Sequence, residues 1–167
     1  MSRKPQDRRT FIKTMAGGAV VLRSSLAGLF GAGQEAPARL EKDGMSYRRL
    51  GRTGLLVSEI SLGSSPLPDP DLLRAIVDRG VNYIDTSHSY DNGNAERQIG
   101  RLLKDVGRDK VRVATKFHVA PRNTAASIVA SVHGSLRRLD VETIDVLMIH
   151  GAETASLLVD ERVLEVF

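Results

Sequence analysis

The chain predicts an α/β fold built on a parallel sheet, and three observations carry that expectation. Short β-rich runs alternate four times with segments of helical periodicity, the order that right-handed βαβ units require. The central part of the run at 144–150 is apolar on both faces, as in a strand covered by helices on both sides. Three successive runs end on ionisable residues, Asp85, Lys116 and His150, spaced 31 and 34 residues apart, one βα repeat each.

In order along the chain, residues 47–50 and 55–58 are strand-like and flank a turn bounded by Gly51 and Gly54, which predicts a β-hairpin. Residues 59–63 form a brief apolar run closed by Gly63, a first strand for the sheet, and the Pro-rich link 64–70 ends it. Leu72, Leu73, Ile76 and Val77 fall at helical spacing and predict a helix over 71–79, with Asp71 near its start and Gly80 just past its end. A strand follows at 81–85. Residues 94–106 place Ile99, Leu102, Leu103 and Val106 on one helical face and stop at Gly107. Residues 111–116 are β-rich. Ile128, Val129, Val132, Leu136 and Leu139 then recur at steps of three and four, predicting a helix over 124–139. After the strand at 144–150, residues 156–167 open a further helix.

Composition narrows the function classes. A length of 167 residues with 41% apolar content suffices for the core of one domain. The net charge of +4 does not belong to that domain: residues 1–38 hold six Lys and Arg against two Asp and Glu, and the remainder has 18 of each. A basic nucleic-acid face on the body is therefore not expected, and Arg137 and Arg138 are read as a solvated helix face. Absence of cysteine removes disulfides, thiolate metal sites and a cysteine nucleophile.

The first 38 residues read as a signal segment, disordered or helical. Arg8-Arg9-Thr10-Phe11-Ile12-Lys13 precedes a weakly apolar stretch, and small residues lead to Ala36-Pro37-Ala38. The paired arginines resemble the twin-arginine export signal, which implies the twin-arginine export machinery as a partner and a periplasmic or other extracytoplasmic destination. Cleavage is expected after Ala38, or earlier near Gly33. A basic tail on a cytoplasmic protein is the alternative. No run reaches the roughly 18–20 apolar residues that span a bilayer, so no permanent membrane span is expected.

The stretch after the strand at 81–85 is the candidate site. In a parallel sheet the loops leaving the carboxyl ends of the strands carry the chemistry. Asp85, Lys116 and His150 would stand side by side on that rim, with Tyr90 five residues beyond Asp85. A free phenol has a pKa of about 10, and a neighbouring ammonium favours its phenolate. A carboxylate beside that ammonium holds it in place, and an imidazole can orient a carbonyl while the phenol supplies a proton. The missing reagent is a hydride, which side chains cannot provide. The plain alternative is that Asp85 caps a turn and Tyr90 is a loop aromatic. A third reading joins His88, His118 and His150 in a metal-dependent hydrolase on a barrel, although their spacing fits no local metal motif. His133 is read as an ordinary helix residue, and Glu96 as an acid complementing a helix dipole.

Residues 47–58, Gly80 to Glu96 with Asp85-Thr86 and Tyr90, Ala114-Thr115-Lys116 and the run 144–150 together resemble the aldo-keto reductases, in order and spacing. The resemblance implies a (β/α)8 TIM barrel preceded by an N-terminal β-hairpin, NADPH (or NADH) as cofactor, and a small-molecule aldehyde or ketone as substrate. It implies Tyr90 as general acid, Lys116 and Asp85 as its tuning pair, and His150 as the carbonyl-orienting group. Gly63, Ser64 and Asp85 would lie by the nicotinamide, and no metal is implied. Such a barrel takes about 250 residues. Residues 39–167 are therefore expected to be its N-terminal half, the first four β/α units of a longer reductase, without the cofactor phosphate site. A non-catalytic half-barrel acting through self-association or a partner is the alternative.

Overall fold

The computed structural model describes residues 38–152 and 154–167. Of the leader assigned to residues 1–38, residues 1–37 lie outside the described residues. The described residues form two sheets: an antiparallel meander, β1 (Arg39–Lys42), β2 (Met45–Arg49) and β3 (Leu56–Ser58), and a parallel sheet in the order β4 (Leu62–Gly63), β5 (Tyr83–Asp85), β6 (Arg112–Phe117) and β7 (Val146–Ile149). Helices α1 (Pro70–Asp78), α2 (Asn94–Val106) and α3 (Ala125–Leu139) connect the parallel strands, and a single turn, α4 (Glu161–Leu164), follows β7. This is the alternating βα architecture expected from the sequence, covering part of a barrel. Among the described residues no helix is long and apolar enough to cross a membrane.

The expected hairpin is one strand larger. β1 pairs with β2 through a two-residue turn in which Asp43 and Gly44 both take positive φ, 52° and 78°. Asp-Gly is favoured in such a turn because its twist matches the paired strands. The meander also claims Glu59, whose N–H donates to the Ser46 carbonyl at 2.8 Å. That correction shortens the first parallel strand from 59–63 to Leu62–Gly63 and leaves Ile60 exposed at the corner.

Side chains at the amino end of β5 fasten the meander to the parallel sheet. Asn82 Oδ1 accepts from Ser58 N at 2.7 Å and its Nδ2 donates to the Leu56 carbonyl at 3.1 Å, while its own N–H donates to Ser58 Oγ at 3.0 Å. The Tyr47 hydroxyl donates to the Gly80 carbonyl at 2.8 Å. The meander therefore covers the end of β5 opposite to Asp85. Asn82, expected in the strand, serves this junction instead, and Val81, also expected there, donates its N–H to the Ile76 carbonyl at 3.3 Å at the end of the preceding helix.

Helix ends follow local chemistry. α1 starts at Pro70 because Asp69 caps it by accepting from Asp71 N and Leu72 N, and Asp71 lies in its first turn as expected. α2 has the bounds its periodicity predicts, and Thr124 with Ser127 forms a capping box at the start of α3. The helix expected over 156–167 is broken. A 3-10 turn at Ala155–Val159 gives way at Asp160, whose extended backbone (ψ 124°) and side-chain bond to Arg162 N restart the helix as α4.

The main core lies between the sheet and α1–α3, with Leu73, Ile84, Ile99, Val111, Val113 and Leu139 almost fully enclosed. α2 and α3 meet closely at Gly100, where an added Cβ would stand 2.6 Å from the Leu139 carbonyl oxygen. Alanine there would gain about 1 kcal/mol of helix propensity. Backbone overpacking costs about 1–3 kcal/mol, and here the opposing atom is a fixed carbonyl. Gly100→Ala is therefore expected to lower the urea midpoint. An unchanged or raised midpoint would show that the two helices can part without cost.

Candidate active site

Four successive strands end on one rim, and register decides which residues share it. Gly63 pairs with Asp85, Asp85 with Ala114, and Lys116 with Met148, so the carboxyl ends of β4 to β7 lie side by side. His150 is the first residue past β7 and stays in the ladder through its N–H, which donates to the Phe117 carbonyl at 2.8 Å. Tyr90 comes from the loop after β5. Its N–H closes a turn onto the Ser87 carbonyl at 3.1 Å, and Asp91 and Asn92 then take left-handed conformations before α2 begins.

These loops bring Asp85, Tyr90, Lys116 and His150 together. Lys116 is the hub: its side chain is 13% exposed, and Nζ donates to Asp85 Oδ1 at 2.5 Å, to the Thr86 carbonyl at 2.8 Å and to the Tyr90 hydroxyl at 3.3 Å. Nζ also stands 4.8 Å from the Tyr90 ring centroid. An ammonium has three donors. All three are used, which fixes the charge beside the phenol oxygen. The Tyr90 ring meets the His150 ring edge-on with centroids 5.5 Å apart. Burial, together with His118, Lys116 and His88 nearby, holds the His150 imidazole below its usual pKa, against a smaller opposing effect of Asp85. The neutral ring is thereby favoured, and it can donate one hydrogen bond and accept one.

His88, His118 and His150 do gather, but as stacked rings. His118 lies parallel to His150 at 4.4 Å and edge-on to His88 at 5.1 Å. His88 Nδ1 is bonded to the Lys116 carbonyl at 2.9 Å and His150 Nδ1 to Ser87 Oγ at 3.0 Å. Two of the three Nδ1 atoms are thus committed to protein partners, and no group of three or more metal-ligating side chains converges among the described residues.

The aldo/keto reductase family model matches residues 66–161, more than half of the chain and the whole of this rim beyond β4. The chain belongs to the aldo/keto reductase family. A probable voltage-gated potassium channel subunit beta of Oryza sativa subsp. japonica is 37% identical over 135 residues, covering 71% of this chain and 41% of the relative. The aldo-keto reductase AKR11C1 of Bacillus halodurans, solved in its holo form, superposes with a TM-score of 0.59 at 32% identity, over 72% of this chain and 45% of that one. An aldo/keto reductase of Klebsiella pneumoniae solved with NADP and acetate gives a TM-score of 0.52 at 29% identity, over 58% and 36%. This family member therefore spans less than half the length of the relatives it matches.

For the nicotinamide positions, the fit rests on the ends of β4 and β5. Gly63 is exposed with no atom within 4 Å of where a Cβ would stand, leaving the rim open beside Asp85. Ser64 donates its N–H to the Asp85 carbonyl at 3.0 Å, and its buried hydroxyl has no partner among the described residues. The same holds for Thr86 Oγ1. An open glycine edge beside unpartnered hydroxyls fits one side of a flat, amide-bearing ring. Sequence reasoning in this family member did not single out Thr86 and Ser87 as site residues; the signal was the hydroxyl-rich run Thr86, Ser87, Ser89 directly after a strand.

Glu96 stands in the first turn of α2, where an acid complements the helix dipole as expected, and its burial corrects the reading of Arg138. Glu96 is fully buried, accepting from Thr115 Oγ1 at 2.6 Å and from Arg138 Nε at 2.6 Å. Arg138 is therefore not part of a solvated face, whereas Arg137 and His133 are exposed.

Proposed function

We propose that this chain contributes the proton-donating half of a nicotinamide-dependent reductase that converts an aldehyde or ketone to an alcohol. The observation that carries the reading is the Lys116 ammonium held between Asp85 Oδ1 and the Tyr90 hydroxyl. Tyr90 donates its hydroxyl proton to the carbonyl oxygen as that oxygen gains charge. The ammonium 3.3 Å away stabilises the phenolate left behind, and Asp85 keeps the ammonium in position. His150, neutral, donates a hydrogen bond that aligns the carbonyl. NADPH or NADH, when bound, supplies the hydride that reaches the carbonyl carbon, with Gly63, Ser64 and Asp85 at its ring. The cofactor phosphate site is assigned to barrel units beyond the four described. Support for the nicotinamide comes from the Klebsiella pneumoniae relative solved with NADP.

The test follows nicotinamide absorbance when an aldehyde is added, comparing the 167-residue chain with a protein carrying four further β/α units. Reduction by the longer protein and not by the short one is expected. Failure of both, with the longer protein folded, would sink the reading.

One observation favours a second reading, a half-barrel that works by association. All four residues of β7, Val146 to Ile149, are apolar and only half-buried, and the strand is an edge of the sheet. A folded, cofactor-free particle of twice the chain mass would support it. The leader adds a separate proposal: residues 1–38 direct export through the twin-arginine machinery, with cleavage after Ala38 leaving a mature chain that opens on β1.

A further inference from the structure

The end of the sheet opposite the rim carries a cleft of about 480 Å³ between the meander and the ends of α1 and α2. That lies within the roughly 300–1,000 Å³ of small-molecule sites. Gly80 shapes its wall. With φ at 97° it turns the chain out of α1, and an added Cβ there would stand 2.8 Å from the Tyr47 hydroxyl oxygen and 3.1 Å from Met45 Cβ. The charges on the wall are unbalanced: Lys42, Arg74, Arg79 and Lys110 face two carboxylates, Asp43 and Asp78. Arg74 and Asp78 already bond each other at 3.2 Å. The carbonyls at the end of α1 are occupied as well. Arg79, Gly80 and Val81 donate their N–H groups to Ala75, Val77 and Ile76, and the Gly80 carbonyl takes the Tyr47 hydroxyl. Among the described residues, Lys42, Arg79 and Lys110 have no side-chain partner, and they come from β1, the end of α1 and the turn before β6.

We propose that this cleft binds a small anion of the diphosphate class, with Lys42, Arg79 and Lys110 contacting its oxygens. Ammonium and guanidinium groups only donate hydrogen bonds, so the matching ligand is rich in acceptors. Cations on three separate elements call for more than one anionic group, and adjacent phosphates offer several oxygens for charge-assisted bonds. Asp43 opposes the ligand. Its charge is felt within the cleft, where burial and then Asp43 hold the Tyr47 phenol above its ordinary pKa. The cleft shares no side chain with Asp85, Tyr90, Lys116 or His150. It therefore goes beyond the reductase reading and stands or falls without it.

The experiment titrates the 167-residue chain with inorganic pyrophosphate at fixed ionic strength and follows backbone amides by NMR. Saturable shifts are expected at Gly80, Val81 and Lys110. Arg79→Gln and Lys110→Gln should each weaken binding by about 2- to 5-fold, the worth of an exposed ion pair, and together by about 4- to 25-fold if they act independently. Asp43→Asn removes the opposing charge while keeping a residue that the turn accepts, and should tighten binding by about 2- to 5-fold. Arg52→Gln, exposed and outside the cleft, should change nothing. Circular dichroism checks that each variant folds. ADP in a parallel titration separates the sources: binding tighter than that of pyrophosphate supports a diphosphate carried on a nucleoside, and weaker binding supports a free one. Absence of saturable shifts at those amides overturns the site, as does a folded Arg79→Gln/Lys110→Gln chain with wild-type affinity. An Asp43→Asn chain that binds no tighter, or an Arg52→Gln chain that loses as much as Lys110→Gln, does so too. Citrate binding as tightly as pyrophosphate would overturn the diphosphate assignment.

Discussion

Tyr90→Phe is expected to lower the rate of carbonyl reduction by about 10²–10⁴, the usual contribution of a positioned general acid. In activation free energy that is about 3–5 kcal/mol. The phenyl ring is retained, so the 4.8 Å approach of Lys116 Nζ and the edge contact with His150 both survive. Only the oxygen 3.3 Å from the ammonium is lost. The effect should therefore appear in kcat and leave the Kd for the nicotinamide nearly unchanged. Lys116→Met should give a loss of similar size by a different route, because the phenolate then has no adjacent positive charge. Asp85 is 32% exposed and can be solvated when its partner is gone, so this second variant should still fold. Groups that act as a unit are not additive. The double variant is expected to be no slower than the worse single one. Full multiplication of the two losses would mean that Tyr90 and Lys116 act independently, and a Tyr90→Phe protein with wild-type kcat would remove the proposed acid.

How much of this was readable from the sequence depended on whether the determining interaction is local. α2 was legible to the residue because its apolar face repeats at three- and four-residue steps and Gly107 stops it with a positive φ of 98°. The rim residues were legible because a strand end is itself a local pattern, and equal repeat lengths place successive ends together. β1 was missed because Arg39-Leu40-Glu41-Lys42 has one apolar residue and no alternation. It is a strand through its partner β2 and its Asp43-Gly44 turn, and only the turn is visible in the chain. The helix at 156–167 looked continuous because Asp160 is unremarkable in composition, while its capping bond to Arg162 N sets the break. The imidazole stack and the contact of Ser87 with His150 join residues 30 to 63 positions apart. Such contacts depend on strand register, which no single stretch of sequence encodes.

Arg138→Met is expected to destabilise the fold by about 3–5 kcal/mol, the cost of stripping a buried charge of its partner. Glu96 is enclosed completely in the first turn of α2. One of its oxygens takes the Thr115 hydroxyl and the other takes Arg138 Nε, so losing the guanidinium leaves the carboxylate with one neutral donor and the amide end of its helix. Arg138 does more than neutralise: it also donates to Ser135 Oγ at 3.2 Å, and its stem fills the space beside Gly93, where a Cβ would stand 2.7 Å from Arg138 Cδ. Methionine keeps much of that stem, which isolates the charge from the packing. Glu96→Gln combined with Arg138→Met removes both charges and should cost less than Arg138→Met alone, because no uncompensated ion remains. A double-variant cycle in urea measures the difference. Thr115 precedes Lys116 in β6, and Gly93 ends the loop that carries Tyr90, so this buried pair braces both segments that supply the proposed proton donor. If Arg138→Met cost less than about 1 kcal/mol, the size of an exposed pair, the bracing role would fall, and the positions of Lys116 and Tyr90 would have to be held by their strand and turn alone.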